Sequence, residues 1–446
     1  MPHAPTRRGL LAATALAPLA APLARPALAQ SRPFNGVRLN VATYQHQFNT
    51  YLARYIPEFE ERTGMRVNFA VSGFPVYNQQ ADLELSTRGS AYDVVNVTYI
   101  YASRWINAGW LTDLDTYARD PRLTPAEWEP DDFIAGAQAP LKNRAGRTHG
   151  FAWEGGAMMM GISRPDLLTA RGKRIPETFD EFTEACAAVH GHDGVAAFAV
   201  DRLHHWHWPP FLMGFGGGVF RDVPDNLTPT LATPEAIRAA DYYAKLLKDY
   251  GPRGGLSYTE DQARTAMVNG TAVFNIHSHT WQLPMFAEGS RVKDTARIAF
   301  MPRGPAGDFP GANCQGIGIP IGARNKEAGW EFIKWMLSKD LLARIVREHG
   351  HPSVCRASVV ASPEYRERFT INGQDIGSMY RAVLDKPAAG NYMAYRTVPV
   401  FPQVGDKINR AIERIASGQG NAAAAMQGAQ AEAVGDLRRA GVAVDG

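Results

Sequence analysis

Cysteine is scarce. Cys186, Cys314 and Cys355 are the only three in 446 residues, too few for a disulfide framework and enough for one bridge at most, so packing must hold the fold. Cys186 lies in a helical apolar pattern and is expected to be a buried filler, because an unbridged cysteine behaves as a small hydrophobe. For Cys314 and Cys355 a bridge is left open, but two thiols are expected. An excess of charge is also missing: 47 Lys and Arg face 44 Asp and Glu, a formal +3, with no basic field to attract nucleic acid or anionic lipid. No repeat of solenoid length is visible. Catalytic signatures are absent too. There is no Gly-x-Ser-x-Gly elbow and no His-Glu-x-x-His run. The stretch Gly214-Phe215-Gly216-Gly217-Gly218 lacks the Gly-Lys-Ser/Thr ending of a phosphate loop and reads as a turn before Val219-Phe220.

What is present begins with an export pattern. Thr6-Arg7-Arg8-Gly9-Leu10-Leu11 sets paired arginines ahead of an Ala/Leu/Pro stretch that ends in Ala27-Leu28-Ala29, a small-x-small peptidase site with cleavage expected before Gln30. Pro18, Pro22, Arg25 and Pro26 interrupt it, and it falls short of the ~20 apolar residues of a membrane span. Residues 1–29 are therefore expected to be a signal peptide, twin-arginine-like in its paired arginines. No cysteine follows the cleavage site, so a lipid anchor is not indicated and a periplasmic location is expected. Loss of Arg7, Arg8 and Arg25 brings the formal charge from +3 to zero. With 45% hydrophobic residues, the rest can bury a sizeable core in two domains.

The mature chain alternates strand and helix periods. Val37, Leu39 and Val41 recur every second residue and are followed by Thr43-Tyr44-Gln45-His46. Leu52, Tyr55, Ile56 and Phe59 then recur at helical spacing, Thr63-Gly64 ends the helix, and Val67, Phe69 and Val71 resume the strand period. Such a βαβ unit implies a parallel sheet with ligand chemistry at strand C-terminal ends. Asp93-Val94-Val95-Asn96-Val97, Ala157 to Ile162, Val273 to Ile276, Ile298 to Met301 and Gly316 to Ile319 continue the series. Phe179, Phe182, Cys186 and Val189 mark a helix; Trp330 and Trp335 share a stripe with Ile333 and are expected in the core. The fold class is α/β with two lobes.

Five blocks resemble the family 1 extracellular solute-binding proteins, the group that includes maltose-binding protein. They are Phe59-Glu60-Glu61-Arg62-Thr63-Gly64-Met65-Arg66-Val67; Tyr92-Asp93-Val94-Val95 with Asn107-Ala108-Gly109-Trp110-Leu111-Thr112-Asp113-Leu114; Met158 to Leu167 with Pro176-Glu177-Thr178-Phe179-Asp180-Glu181-Phe182; Ala266-Met267-Val268-Asn269-Gly270; and Gly316-Ile317-Gly318-Ile319-Pro320 with Trp330-Glu331-Phe332-Ile333-Lys334-Trp335-Met336. Each block alone is ordinary capping and strand chemistry; their order is specific and spans the mature chain. The resemblance implies a two-lobed periplasmic-binding-protein fold of type II, hinged by three crossovers near Trp153, Gly311 and His351. Residues 30–152 plus 311–351 would form lobe I and 153–310 plus 352–446 lobe II. It also implies a monomeric, non-enzymatic carrier, without a cofactor, that delivers a sugar or sugar alcohol to the transmembrane subunits of an ABC permease.

A sugar carries hydroxyls at its edge and C–H groups on its faces, so its site needs stacking aromatics and fixed donors and acceptors. The strand ends supply both: Tyr44 and Gln45; Thr98, Tyr99 and Tyr101; Trp153 and Glu154 at the first crossover; His277, His279 and Trp281; and Gln315 before the re-entry strand. Trp206, in His204-His205-Trp206-His207-Trp208, is a further candidate for the cleft wall. Many sugar-binding relatives have a carboxylate just beyond the Asp-Val-Val strand, where this chain has Thr98-Tyr99-Ile100. The Gly-Gly often seen at re-entry is Gln315-Gly316 here. Both departures leave the sugar's identity open. The dense histidines also admit a metal site or a metal-dependent or glycoside-acting enzyme, and Arg396 admits a phosphorylated polyol. A polyamine or a metal chelate is a further alternative cargo on the same fold.

Overall fold

The structure is a computed structural model that describes residues 34–386 and 394–445; the expected signal peptide lies outside the described residues. β1 (Arg38–Tyr44) pairs in parallel with β2 (Arg66–Ser72) and β3 (Val94–Val97). The intervening helix Ile56–Thr63 ends at Gly64, whose φ of 80° is a left-handed cap. Glycine is required there doubly, because a Cβ would also sit 2.9 Å from the Asn35 Cα.

β4 (Phe151–Ile162) is the longest strand described, and it begins earlier than the run expected from Ala157 to Ile162. β5 (Ala196–Phe198) follows, then a separate hairpin of β6 (Phe220–Asp222) and β7 (Asn226–Pro229), which the glycine-rich turn precedes as expected. β8 (Ala272–Ser278), β9 (Arg297–Ala299) and β10 (Ala312–Gly318) complete a mixed sheet in the order β2-β1-β3-β10-β4-β8-β5, with β9 also paired to β4. The register of β4 explains its length. Its first half, to Ala157, is antiparallel to β10, and its second half, from Met158, is antiparallel to β8 and β9. One strand therefore runs from one α/β lobe into the other.

The other connections lie against it. The Met158 N–H donates to the Gly311 carbonyl at 2.6 Å and the Gly155 N–H to the Ser353 carbonyl at 3.1 Å. Three chain segments thus meet side by side at the junction.

Helices cover the sheet for reasons visible in sequence. Thr178 caps helix Phe179–Val189 by accepting from the Glu181 N–H, and the helix buries Phe179, Phe182, Ala185, Cys186 and Val189. Trp330 and Trp335 are in the core as expected, with the Trp330 indole N–H donating to Thr124 at 2.8 Å. Helices Phe401–Ala416 and Ala422–Arg439 pack on each other and on Pro234–Tyr250. All three cysteines are buried, unbridged thiols, and burial pushes that of Cys314 up to about 12. Among the described residues no helix is long and apolar enough to cross a membrane.

Arg356 anchors the third segment. Fully buried, it donates to the carbonyls of Leu337 (3.0 Å), Trp128 (2.5 Å) and Glu129 (2.6 Å), with its guanidinium 4.4 Å from the Trp128 ring and 4.2 Å from Phe133. Arg356→Ala should cost about 3 kcal/mol, since three buried carbonyls lose a charged donor. Arg356→Lys should recover less than half, because an ammonium cannot reproduce the planar fork. Urea unfolding midpoints equal to the parent's for both variants would refute this anchoring role.

Candidate functional site

Two strand ends and a short helix build a polar wall. The apolar run through β5 ends in Asp201, whose carboxylate accepts from the Leu203 N–H at 2.8 Å and faces His207 Nε2 at 3.1 Å. The other ring nitrogen of His207 lies 2.7 Å from the Ile276 carbonyl, which can only accept. Nδ1 therefore carries a proton and donates, and Nε2 is left facing the carboxylate. Both side chains of this His207–Asp201 pair are buried. Burial raises the Asp201 carboxyl, but His207 and the Leu203 N–H outweigh it and hold the group below the usual carboxylate range.

His207 lies on the one-turn helix His204–His207, which also presents Trp206. The buried Arg396 guanidinium lies 3.7 Å from the Trp206 ring centroid, donating to the Tyr395 hydroxyl at 2.7 Å and to the Trp206 carbonyl at 3.2 Å. At the end of β8, His277 stacks on Trp281 at 4.8 Å and 17°. Its Nδ1 accepts from the Ser278 N–H at 2.8 Å, leaving the proton on Nε2. Burial and the neighbouring His207 charge push its pKa well down, so the ring is neutral.

These groups surround a cavity of about 190 Å³. Asp201, Trp206, His277, Ser278 and Arg396 form one side, Gly156, Met158, Ala312 and Asn313 of β4 and β10 the other, and Leu203 and Glu260 the rim. A Cβ at Gly156 would meet the Asn313 side chain lying across the strand, which would have to shift.

Of the residues expected at the site, Trp206 and His277 border this cavity. Tyr99 stands behind it, stacked on Phe74 at 6.2 Å and edge-on to Trp206 at 5.9 Å, its hydroxyl pushed up to about 12 by burial against the pull of Arg396. A second group gathers at the junction. Trp153 is fully buried, stacked on Phe48 at 4.9 Å, and donates its indole N–H to the Gly316 carbonyl at 3.0 Å. Glu154 meets His46 at 2.9 Å and faces Gln315 across the strands. Tyr44 lies 6.3 Å from Trp153, and His279 packs 4.5 Å from Tyr380. The Tyr44 hydroxyl, Gln315 Oε1 and His279 Nε2 are buried with no hydrogen-bond partner among the described residues. Trp281 is enclosed by His277 and by Arg264, 5.2 Å from its ring. Gln45 is exposed, Thr98 donates to Asn78 at 2.6 Å, and Tyr101 leans on Trp105 at 5.5 Å. Asp201, Asn313, Ser278, Met158 and Glu260 were not among the expected residues. Asp201 had a signal: the run Val195 to Val200 ends in a carboxylate, by the same strand-end rule that selects Tyr44.

Residues 43–341 match the family model of bacterial extracellular solute-binding proteins. The chain belongs to this family. Among relatives of this solute-binding chain, a mannitol-binding protein of Pseudomonas aeruginosa is 24% identical over 441 residues, covering 95% of this chain and 97% of that protein. An erythritol/L-threitol-binding protein of Mycolicibacterium smegmatis is 21% identical, over 74% of this chain and 72% of that one. The fold is shared with an ABC transporter solute-binding protein of Agrobacterium radiobacter in complex with ribitol, at TM-score 0.71 and 21% identity over 90% of this chain and 98% of the other. It is shared equally with one of Agrobacterium vitis with bound D-mannitol, at TM-score 0.71 and 21% identity over 91% and 99%. Family members are binding proteins, not enzymes. Among the described residues, no three His, Cys, Asp or Glu side chains are placed to hold a metal ion.

Several histidines of this binding protein are held neutral. Burial pushes His279 and His204 down to about 3, and His205 and His351 to about 4. A base whose folded pKa lies below its unfolded value of ~6.5 binds fewer protons in the native state, so its stability contribution is complete above that value and is lost as pH falls toward the folded one. The melting temperature should therefore decline from pH 7 to pH 4, and His279→Asn, which keeps an acceptor for the Ala157 N–H, should decline less steeply. An identical slope in calorimetry would contradict this.

Proposed function

We propose that this protein is the periplasmic carrier of an ABC importer, capturing a sugar or sugar alcohol between its lobes and presenting it to the membrane permease. The observation that carries the reading is the cavity. A carboxylate, a guanidinium, a neutral imidazole, a serine hydroxyl and an asparagine amide converge on about 190 Å³, a mixture of donors and acceptors suited to hydroxyl groups. The carboxylates there each have a partner, Asp201 in His207 and Glu260 in Arg264, which favours a neutral cargo over a cation. The names of the similar mannitol- and erythritol-binding proteins point the same way.

Residues 30–152 with 311–351 act as one lobe and 153–310 with 352–446 as the other, closing about the junction at Gly155, Gly311 and Ser353. Hinge closure around a ligand is a general mode of motion in two-lobed binding proteins, and it lets a permease distinguish loaded from empty carrier only if ligand binds the closed state more tightly. Export by the twin-arginine route and a monomeric state complete the proposal. Tyr44, Trp153, Glu154 and Gln315 would then face the solute's far side or set the hinge.

A thermal-shift panel of sugars, sugar alcohols, phosphorylated polyols, polyamines and metal ions tests the reading. A solute at about 100 times its Kd stabilises the fold by ~2.7 kcal/mol, so a neutral polyhydroxylated compound should raise the melting temperature while the charged compounds leave it unchanged. A response to a polyamine, phosphate ester or metal alone would overturn the proposal. Asp201→Asn should weaken binding of the responding solute by about 1.5–3 kcal/mol, the contribution of hydrogen bonds to a charged group; unchanged calorimetric affinity would remove Asp201 from the site.

A further inference from the structure

We infer that Asn313 reads a pair of hydroxyls on adjacent carbons of the solute, and that Gly156 positions it by leaving room for its amide. This rests on the proposed carrier function and assigns two residues of that site. Both stand on the sheet itself. Asn313 and Gly156 face each other across the β10–β4 ladder, and Met158, two residues further along β4, faces Ser278 of β8. Residues two apart on a strand share a face, so Asn313, Gly156, Met158 and Ser278 make one continuous floor of three strands, and all four line the cavity.

Gly156 is a notch in that floor. A Cβ there would fall on Asn313 Oδ1 and lie 2.9 Å from its Cγ, so the amide fills the place that any other residue would need for its own side chain. β4 uses the same device once more, at Gly161, where a Cβ would lie 2.6 Å from the Gln282 Cδ. There the amide is fully buried and donates to the Met159 carbonyl at 3.4 Å and to Asn275 at 3.3 Å, which is a packing role. Asn313 differs in both respects: it is half-buried at the cavity, and its side chain has no hydrogen-bond partner among the described residues. Its neighbours are partly committed, Asp201 to the Leu203 N–H and His207, and the Ser278 hydroxyl to Thr280 at 3.1 Å. A carboxamide holds an acceptor and a donor side by side in one plane. Two hydroxyls on adjacent carbons offer the complementary pair, one donating to Oδ1 and the other accepting from Nδ2. A side chain at position 156 would tilt that amide off the floor and into a cavity of only about 190 Å³.

Calorimetric titration of the full mature protein with D-mannitol, ribitol, D-glucose and maltose selects the tightest solute for a two-residue cycle. Asn313→Ala should weaken it about tenfold or more, the worth of two neutral hydrogen bonds. Asn313→Asp, which keeps the size and loses the donor, should weaken it too. Gly156→Ala should weaken it with the urea midpoint of the ligand-free protein little changed, since no hydrogen bond of the fold is lost. In the Asn313→Ala background the same Gly156→Ala change should cost nothing, because the Cβ then displaces nothing. Additive losses would overturn the positioning role of Gly156, and unchanged affinity in a folded Asn313→Ala variant would overturn the role of Asn313. Among monodeoxy analogues of the solute, those least sensitive to Asn313→Ala should lack one of two neighbouring hydroxyls; non-adjacent positions would overturn the diol pairing. All of these leave the carrier reading standing, whereas no binding by any sugar or sugar alcohol would overturn both.

Discussion

The continuity of β4 is the constraint on which everything else depends. A strand whose first half is hydrogen-bonded to β10 and whose second half is bonded to β8 and β9 cannot shift in register on one side without disturbing the other, because each ladder fixes the side-chain direction of every residue along it. The chain gains a junction that is continuous along the strand, and in the proposed closure the lobes would change their mutual angle about it. Gly155 and Gly156 sit at the changeover, where the Tyr380 hydroxyl, the Cys355 sulfur and the Asn313 side chain press in so closely that a Cβ would displace them.

The cavity beside this strand solves an electrostatic problem. Charged groups bind hydroxyls strongly but are costly to remove from water. Here each arrives with compensation: Asp201 with the buried His207 ring, Glu260 with Arg264, and Arg396 with an aromatic ring and two oxygen acceptors. Much of the desolvation cost is thus met during folding, so a neutral solute in the proposed site would meet groups already fixed in direction, which limits the ordering entropy of binding.

The alternation of strand and helix, the left-handed cap at Gly64, the buried stripe of Trp330 and the capped helix from Phe179 were all legible in the sequence, because each rests on local periodicity or on one residue's backbone preference. Strand-end logic selects His277 and the dense histidine run 204–208 selects Trp206, and both border the cavity. What it could not reach was which face of a ring the folded chain covers. Trp153 and Trp281 have the residue type and position of stacking platforms, yet Phe48 covers the first and Arg264 lies over the second. Phe48 belongs to a different strand–helix unit from Trp153, and Arg264 to the helix before β8, so only the tertiary arrangement makes these contacts. Asp201 went unnoticed for a different reason. β5 is three residues long, too short for its period to stand out, so the apolar run from Val195 to Val200 is only a weak mark for the carboxylate that follows it.

The position of Arg396 in the chain has a consequence for biosynthesis. Its partner Trp206 emerges from the ribosome 190 residues earlier, and the helices from Phe401 onward, which pack against His204–His207 and Pro234–Tyr250, come later still. A nascent or trimmed polypeptide ending before Arg396 holds both sheet halves yet lacks a wall of the chamber. The cavity is therefore lined on all sides only once the chain through Arg396 is in place.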